Sequence, residues 1–179
     1  MKNIMYLILF VSLFLVACDI EDTIAPENNI EPQPMNALVI NEYMSHNDLA
    51  WPGPMDDFPD WIELYNGSAE TIDVGGMYIT DDLTDLTLSM IGDSNPELTV
   101  LAPGEFIVLI ADGNPDNGPL HLDLKLSDNE DFALVDTDGS TIIDQRNTVV
   151  VPDDQSEGRV PDGTDIWEYL NPASPGGPN

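Results

Sequence analysis

The sequence predicts an all-β fold, a sandwich or barrel of short strands, and three observations carry that prediction. Runs rich in β-branched and aromatic residues recur at 37–44, 60–66, 77–80, 86–91, 97–101, 106–111, 132–136, 141–145 and 167–170. Turn residues separate them, among them Asn66-Gly67, Gly75-Gly76, Ala102-Pro103-Gly104 and Asp138-Gly139, where Gly or Asn tolerates positive φ and Pro presets the turn. No stretch holds an apolar stripe of 3.6-residue period for more than two turns.

Taken in order, the first run, 37–44, contains Ile40-Asn41-Glu42, and the second reads Asp60-Trp61-Ile62-Glu63-Leu64-Tyr65-Asn66. Side chains alternate across a strand, so Ile62 and Leu64 share the core face while Trp61, Glu63 and Tyr65 share the outer one. On that reading Glu63 meets solvent or a cation, and the two aromatics cover neighbouring strands or the loop at 47–59. The middle runs are short and bounded by Gly, Pro or Asp. Phe132-Ala133-Leu134-Val135 and Thr141-Ile142-Ile143 form a hairpin about Asp136-Thr137-Asp138-Gly139-Ser140, because Asp138-Gly139 suits a tight turn that needs positive φ. Asp136 and Asp138 are therefore read as turn chemistry, not as cation ligands.

The N-terminus is not part of that fold. An apolar run from Ile4 to Ala17, broken only by Ser12, spans about fourteen residues, short of the roughly 20 a membrane helix needs but suited to a secretory signal. It ends in Leu15-Val16-Ala17-Cys18, which resembles the bacterial lipobox. That resemblance implies that Cys18 becomes an acylated first residue. With two or three acyl chains it would anchor the protein stably to a membrane. Asp19 resembles the inner-membrane retention signal of enteric bacteria, whereas Asp19-Ile20-Glu21-Asp22 as a stretch resembles the surface-export signals of other phyla; the outer membrane or cell surface is the favoured location. Residues 18–36, with Pro26, Pro32 and Pro34 among acids and amides, read as a solvated spacer that cannot bury enough surface to order itself. The division is thus 1–17 signal peptide, 18–36 acidic spacer and 37–179 a single domain, a length that supports one core.

Charge then limits the partners. The chain has 4 Lys+Arg against 34 Asp+Glu, and without Lys2 the balance is 3 − 34 = −31. Such a field repels phosphate backbones, whose binding depends on Lys and Arg displacing counterions, so nucleic acid is excluded as a partner. Cys18 is the only cysteine, which rules out disulfides and cysteine-ligated zinc in the domain.

Several motifs recur in order: Ile40-Asn41-Glu42, the 60–66 strand, Ile72-Asp73-Val74-Gly75-Gly76-Met77-Tyr78-Ile79-Thr80-Asp81-Asp82, Leu101-Ala102-Pro103-Gly104-Glu105-Phe106, Ala111-Asp112, His121-Leu122-Asp123-Leu124-Lys125-Leu126-Ser127 and Arg159-Val160-Pro161-Asp162-Gly163-Thr164. Asn171-Pro172-Ala173-Ser174-Pro175-Gly176-Gly177-Pro178-Asn179 closes the chain. Together they resemble the bacterial lamin-tail domain. The resemblance implies an immunoglobulin-like β-sandwich that serves as an accessory module of secreted or surface proteins. The sequence departs from the family at 47–59, a long Pro/Gly/Asp-rich loop containing Trp51, Asp56, Asp57 and Phe58. Loops of that length are often functional, and these four residues are the candidate binding loop.

Catalytic motifs are absent: the sequence has no GxSxG elbow, HExxH helix, Walker loop or cysteine nucleophile. Its only histidines are His46 and His121, and His121 is read as a hydrogen-bonded residue at the sandwich edge. No cofactor is required, but calcium, which takes six to eight oxygens, is a candidate. Asp112, Asn114 and Asp116, followed by Asp123, imitate the spacing of an EF-hand loop. Pro115 and the missing flanking helices stand against that likeness. Glu42, Asp60 and Glu63 form a second candidate set if their strands pair. The sequence therefore points to a lipid-anchored cell-surface lipoprotein whose sandwich is a non-catalytic module, with calcium as a candidate stabiliser and an unidentified protein or glycan as partner. The alternative is an extracellular hydrolase using carboxylates, alone or with a metal.

Overall fold

Eleven short strands follow one another in the computed structural model, which describes Met35 and residues 37–55 and 57–179. They are β1 Leu38–Met44, β2 Asp60–Asn66, β3 Ile72–Asp73, β4 Tyr78–Thr80, β5 Ser89–Met90, β6 Val100–Leu101, β7 Phe106–Ala111, β8 Asp131–Val135, β9 Ile142–Asn147, β10 Ser156–Arg159 and β11 Trp167–Leu170. One sheet has the order β11-β10-β1-β2-β7, a second β5-β4-β8-β9, and β3 pairs with β6 as a ribbon. Every pairing between these strands is antiparallel. The fold is an immunoglobulin-like β-sandwich, as the sequence predicts.

The core is made by strand parity. Ile62 and Leu64 of β2 and Ile107, Leu109 and Ala111 of β7 join Ile79, Phe132 and Leu134 of the second sheet in one buried cluster. Each fully buried aliphatic side chain in it contributes about 1.5–3 kcal/mol. In β1 the register slips between Ile40 and Glu42, leaving Asn41 as the extra residue of a β-bulge. Such an insertion reverses the alternation downstream. Leu38 and Ile40 before it and Tyr43 after it all reach the core, and Glu42 is left on the other face, directly opposite Glu63.

The predicted hairpin is β8–β9, with Gly139 at φ 67° and Asp138 accepting hydrogen bonds from the backbone N–H groups of Ser140 and Thr141. β3 and β10 lie where the sequence reading places no strand, and two of its predicted runs are altered. Residues 97–101 are not one strand: Pro96–Thr99 form a helical turn, α1, before β6, because Pro96 at the first helical position presets φ and has no N–H to leave unpaired. The predicted run 86–91 contracts to the two residues of β5.

β10, Ser-Glu-Gly-Arg, has no apolar residue, yet all four are buried between β1 and β11. A Cβ on Gly158 would lie 2.6 Å from Asn179 Nδ2 and 2.8 Å from Leu170 Cδ1, so a larger residue there would push those two side chains aside. The signal-peptide segment, Cys18 and the spacer other than Met35, whose N–H donates to the Gly163 carbonyl at 2.7 Å, lie outside the described residues. Among the described residues no helix is long and apolar enough to cross a membrane.

Candidate functional site

The candidate binding loop and half of the EF-hand-like set meet at one end of the sandwich. A cleft of about 300 Å³ is lined by Asp57, Phe58, Asp60, Asp112, Asn114 and Lys125, among others. Asp56 lies outside the described residues. The loop is tied down from within: the Asn47 side chain donates to the carbonyls of Trp51 and Pro59, each at 2.8 Å, and accepts from Trp51 N–H at 3.0 Å. Asp154 Oδ1 accepts from the N–H groups of Asp48, Leu49 and Ala50 at 2.6–2.9 Å. Trp51 packs edge-on to Trp61, centroids 6.0 Å apart, while Phe58 stays exposed. Burial raises the Asp60 carboxyl to about 6, although the Leu126 and Asn47 N–H groups and the charges of His46 and Lys125 oppose it.

Asp112 is already satisfied. Its Oδ1 accepts from Asn114 N–H at 2.9 Å, and its Oδ2 lies 2.9 Å from His121 Nδ1 and 3.2 Å from Asn117 Nδ2. Burial pulls this carboxyl upward, but the bonds from His121, Asn114 and Asn117 outweigh it and hold it below its ordinary 3.8. His121 is buried and bridges to Ile110 of β7, the structural role the sequence suggests. Pro115–Asn117 form a 3-10 turn, Asp116 and Asp123 face solvent, and Asp123 N–H donates to Ser89 Oγ. Among the described residues no three His, Cys, Asp or Glu side chains are grouped so that they could hold a metal ion.

The second candidate set divides. β1 and β2 do pair and bring Glu42 opposite Glu63, but Asp60 lies three positions further along β2, opposite Ala111, and so on the other face of the strand. Glu63 does not meet solvent: it and Glu42 are both 0% exposed. The face predicted to be outer is roofed by residues 174–179. Gly176 N–H donates to Glu63 Oε2 at 2.6 Å and Asn41 Nδ2 to Oε1 at 3.1 Å. Glu42 accepts from Ser174 N–H and Oγ–H, both at 3.1 Å, and from Ser156 Oγ–H. Asp162 accepts from Asn41 Nδ2 and Asn179 N–H. Burial, reinforced by the neighbouring carboxylates, raises Glu63 to about 8 despite its hydrogen bonds. Glu42 is raised as well, again chiefly by burial.

The sequence reading also misses a cationic stack. Arg159, buried, donates from Nε to the Ile40 carbonyl at 2.7 Å, from Nη1 to the Thr164 carbonyl at 2.6 Å and from Nη2 to Asp144 at 3.0 Å. Arg146 grips Glu157 with two bonds, at 3.1 and 2.7 Å, and both guanidinium groups lie on the Trp167 ring, 4.3 and 4.7 Å from its centroid. Glu157 also accepts from the Tyr43 hydroxyl at 2.7 Å. Of the three cations among the described residues, only Lys125 is free for a ligand.

The model of the Lamin Tail Domain family matches residues 31–150. The chain belongs to the lamin tail domain family. No curated protein and no solved structure matches it. The match stops short of β10, β11 and the 174–179 roof, so in this lamin tail domain the segments that close over the buried carboxylates lie beyond the matched part.

Proposed function

We propose that this lamin tail domain is a non-catalytic binding or scaffolding module carried by a lipid-anchored lipoprotein at the bacterial cell surface. The observation that carries the non-catalytic part is the closure over Glu42 and Glu63. They are a facing carboxylate pair, both raised by burial, the kind of arrangement that marks acid–base sites, yet neither is exposed and each is held by donors from the roof. A substrate cannot reach them without displacing residues 174–179. Asp60 is the raised carboxyl that lines an open cleft, and it has no carboxylate partner on its face of β2, since Glu63 lies on the other. The binding role is supported by family membership and by the aromatic and apolar side chains that the 47–59 loop holds in place. The anchor rests on Leu15-Val16-Ala17-Cys18.

Calcium is not part of the proposal, since Asp112, the first residue of its best loop, already has its oxygens occupied. The anchoring is tested by a Cys18→Ser variant in cells fed a clickable palmitate. The parent should incorporate the label and partition into detergent, whereas the variant should do neither. Equal partitioning of the two would refute it. Surface exposure is read by protease shaving of intact cells, which should degrade the parent domain.

A further inference from the structure

β7 is the outermost strand of its sheet, and its outward edge is only half used. Asn66 N–H donates to the Glu105 carbonyl, which together with the β2–β7 register points the backbone groups of Ile107, Leu109 and Ala111 toward β2. Those of Phe106, Val108 and Ile110 point away. Ile110 is paired there, its N–H to the Leu120 carbonyl and its carbonyl to Leu122 N–H. Phe106 and Val108 have no such partner among the described residues. Natural sheets guard free edges with Lys, Pro or bulges, and Phe106-Ile107-Val108-Leu109-Ile110-Ala111 has none of these.

Beside this edge runs a groove of about 560 Å³ whose walls include Trp51, Pro52, Leu98, Phe106, Val108 and Leu120. Its lining has no Asp, Glu, Lys or Arg side chain, and its one histidine, His121, is turned to Asp112, but acids stand at both ends. Glu97 and Glu105 line the adjoining hollow at the Phe106 end, and exposed Asp116 precedes Asn117 at the other. An apolar centre with acidic ends complements an extended segment that is apolar in the middle and basic at its flanks. A second copy of a chain with formal charge −30 is repelled from the same place.

We infer that the free edge of β7 takes an extended, basic-flanked segment of a partner protein as an added strand, with its apolar side chains in the groove. The main-chain bonds of Phe106 and Val108 supply the pairing, and the groove selects alternate side chains. This inference rests on the binding-module reading and specifies its surface.

The probe is a blocked peptide of alternating valine and threonine with lysines at both ends, compared with its glutamate-ended counterpart. The lysine peptide should bind the full domain, measured by calorimetry at low salt, and slow the amide exchange of Phe106 and Val108. The glutamate peptide should not bind. Val108→Pro removes one outward N–H that β2 does not use, a substitution edge strands tolerate, and should abolish binding. Glu97→Lys, an exposed change that leaves the strand untouched, should weaken binding several-fold. Binding that survives Val108→Pro in a folded domain, equal binding of the two peptides, or protection confined to other strands overturns the inference. So does a dimer of the peptide-free protein that Val108→Pro dissociates, because the edge would then be occupied by a second copy. A partner found on intact cells that protects another face would overturn the edge assignment alone and leave the binding-module reading standing.

Discussion

Raising the pH from about 5 to about 8.5 should destabilise this domain, and Glu63 is the main reason. Its carboxyl sits at about 8 in the fold against an ordinary 4.5, so between those values the folded state binds a proton that the unfolded chain has released. When the native state holds more protons, the free energy of unfolding falls as pH rises. The Glu63 contribution is therefore complete below about 4.5 and is lost as pH climbs to about 8. About three and a half pH units at 1.36 kcal/mol each set an upper figure on the order of 5 kcal/mol.

Glu42 and Asp60, also raised, add to the same trend. Asp73, Asp82, Asp112 and Asp138 are lowered and act only below about 4. The charges facing Glu63 are Glu42 across the strand pair and Asp162 beside it, so no cation offsets its ionisation. The assay is urea unfolding of the parent and of Glu63→Gln at about pH 5, 7 and 8.5. At pH 5 the variant should be less stable by about 1 kcal/mol, since its amide cannot accept from both Asn41 and Gly176. At pH 8.5 it should be the more stable of the two, and its slope should be shallower. A parent whose stability is flat or rising over this range, or a variant that keeps the full slope, would refute the reasoning.

Further outcomes are expected from the same geometry. Arg159→Ala should cost about 3–5 kcal/mol by leaving Asp144 and two carbonyls without their partner in a buried site, whereas exposed Lys125→Ala should stay within about 0.5 kcal/mol; chemical denaturation compares them. Ile62→Ala should cost about 2–5 kcal/mol as a core cavity, and a loss below 1 kcal/mol in thermal unfolding would contradict the core assignment. Millimolar calcium should leave the melting temperature unchanged and release no heat in calorimetry, because the Asp112 oxygens are already engaged. Removal of residues 171–179 should lower the melting temperature and flatten its dependence on pH, as Glu42 and Glu63 then meet water.

What was legible in the sequence is what local chemistry controls. β2, β7 and β11 have the predicted bounds because alternation and flanking turn residues lie within the strand itself, and the Asp138-Gly139 hairpin is written in five consecutive residues. Ile62 and Leu64 follow from parity alone. The burial of Glu63 does not, because its cover comes from residues more than a hundred positions away. β10 carries no hydrophobic signal, since its Glu157 and Arg159 are buried by ion pairing and stacking on Trp167 rather than by apolar character. The Asn41 bulge, which moves Glu42 opposite Glu63, shows only in the register. The acid set failed as a group for a simpler reason: Asp60 and Glu63 are three strand positions apart and were bound to face opposite ways.

The roof over the two glutamates also fixes an order in time. Ser174 reaches Glu42 across 132 residues of chain, so during synthesis β1 and β2 emerge from the ribosome long before the donors that will cover them. Until then Glu42 and Glu63 lack the donors that Ser174 and Gly176 supply in the fold. Closing the sandwich in its final form therefore waits on residues 174–179, and a chain that has not docked them is marked by acids left wet.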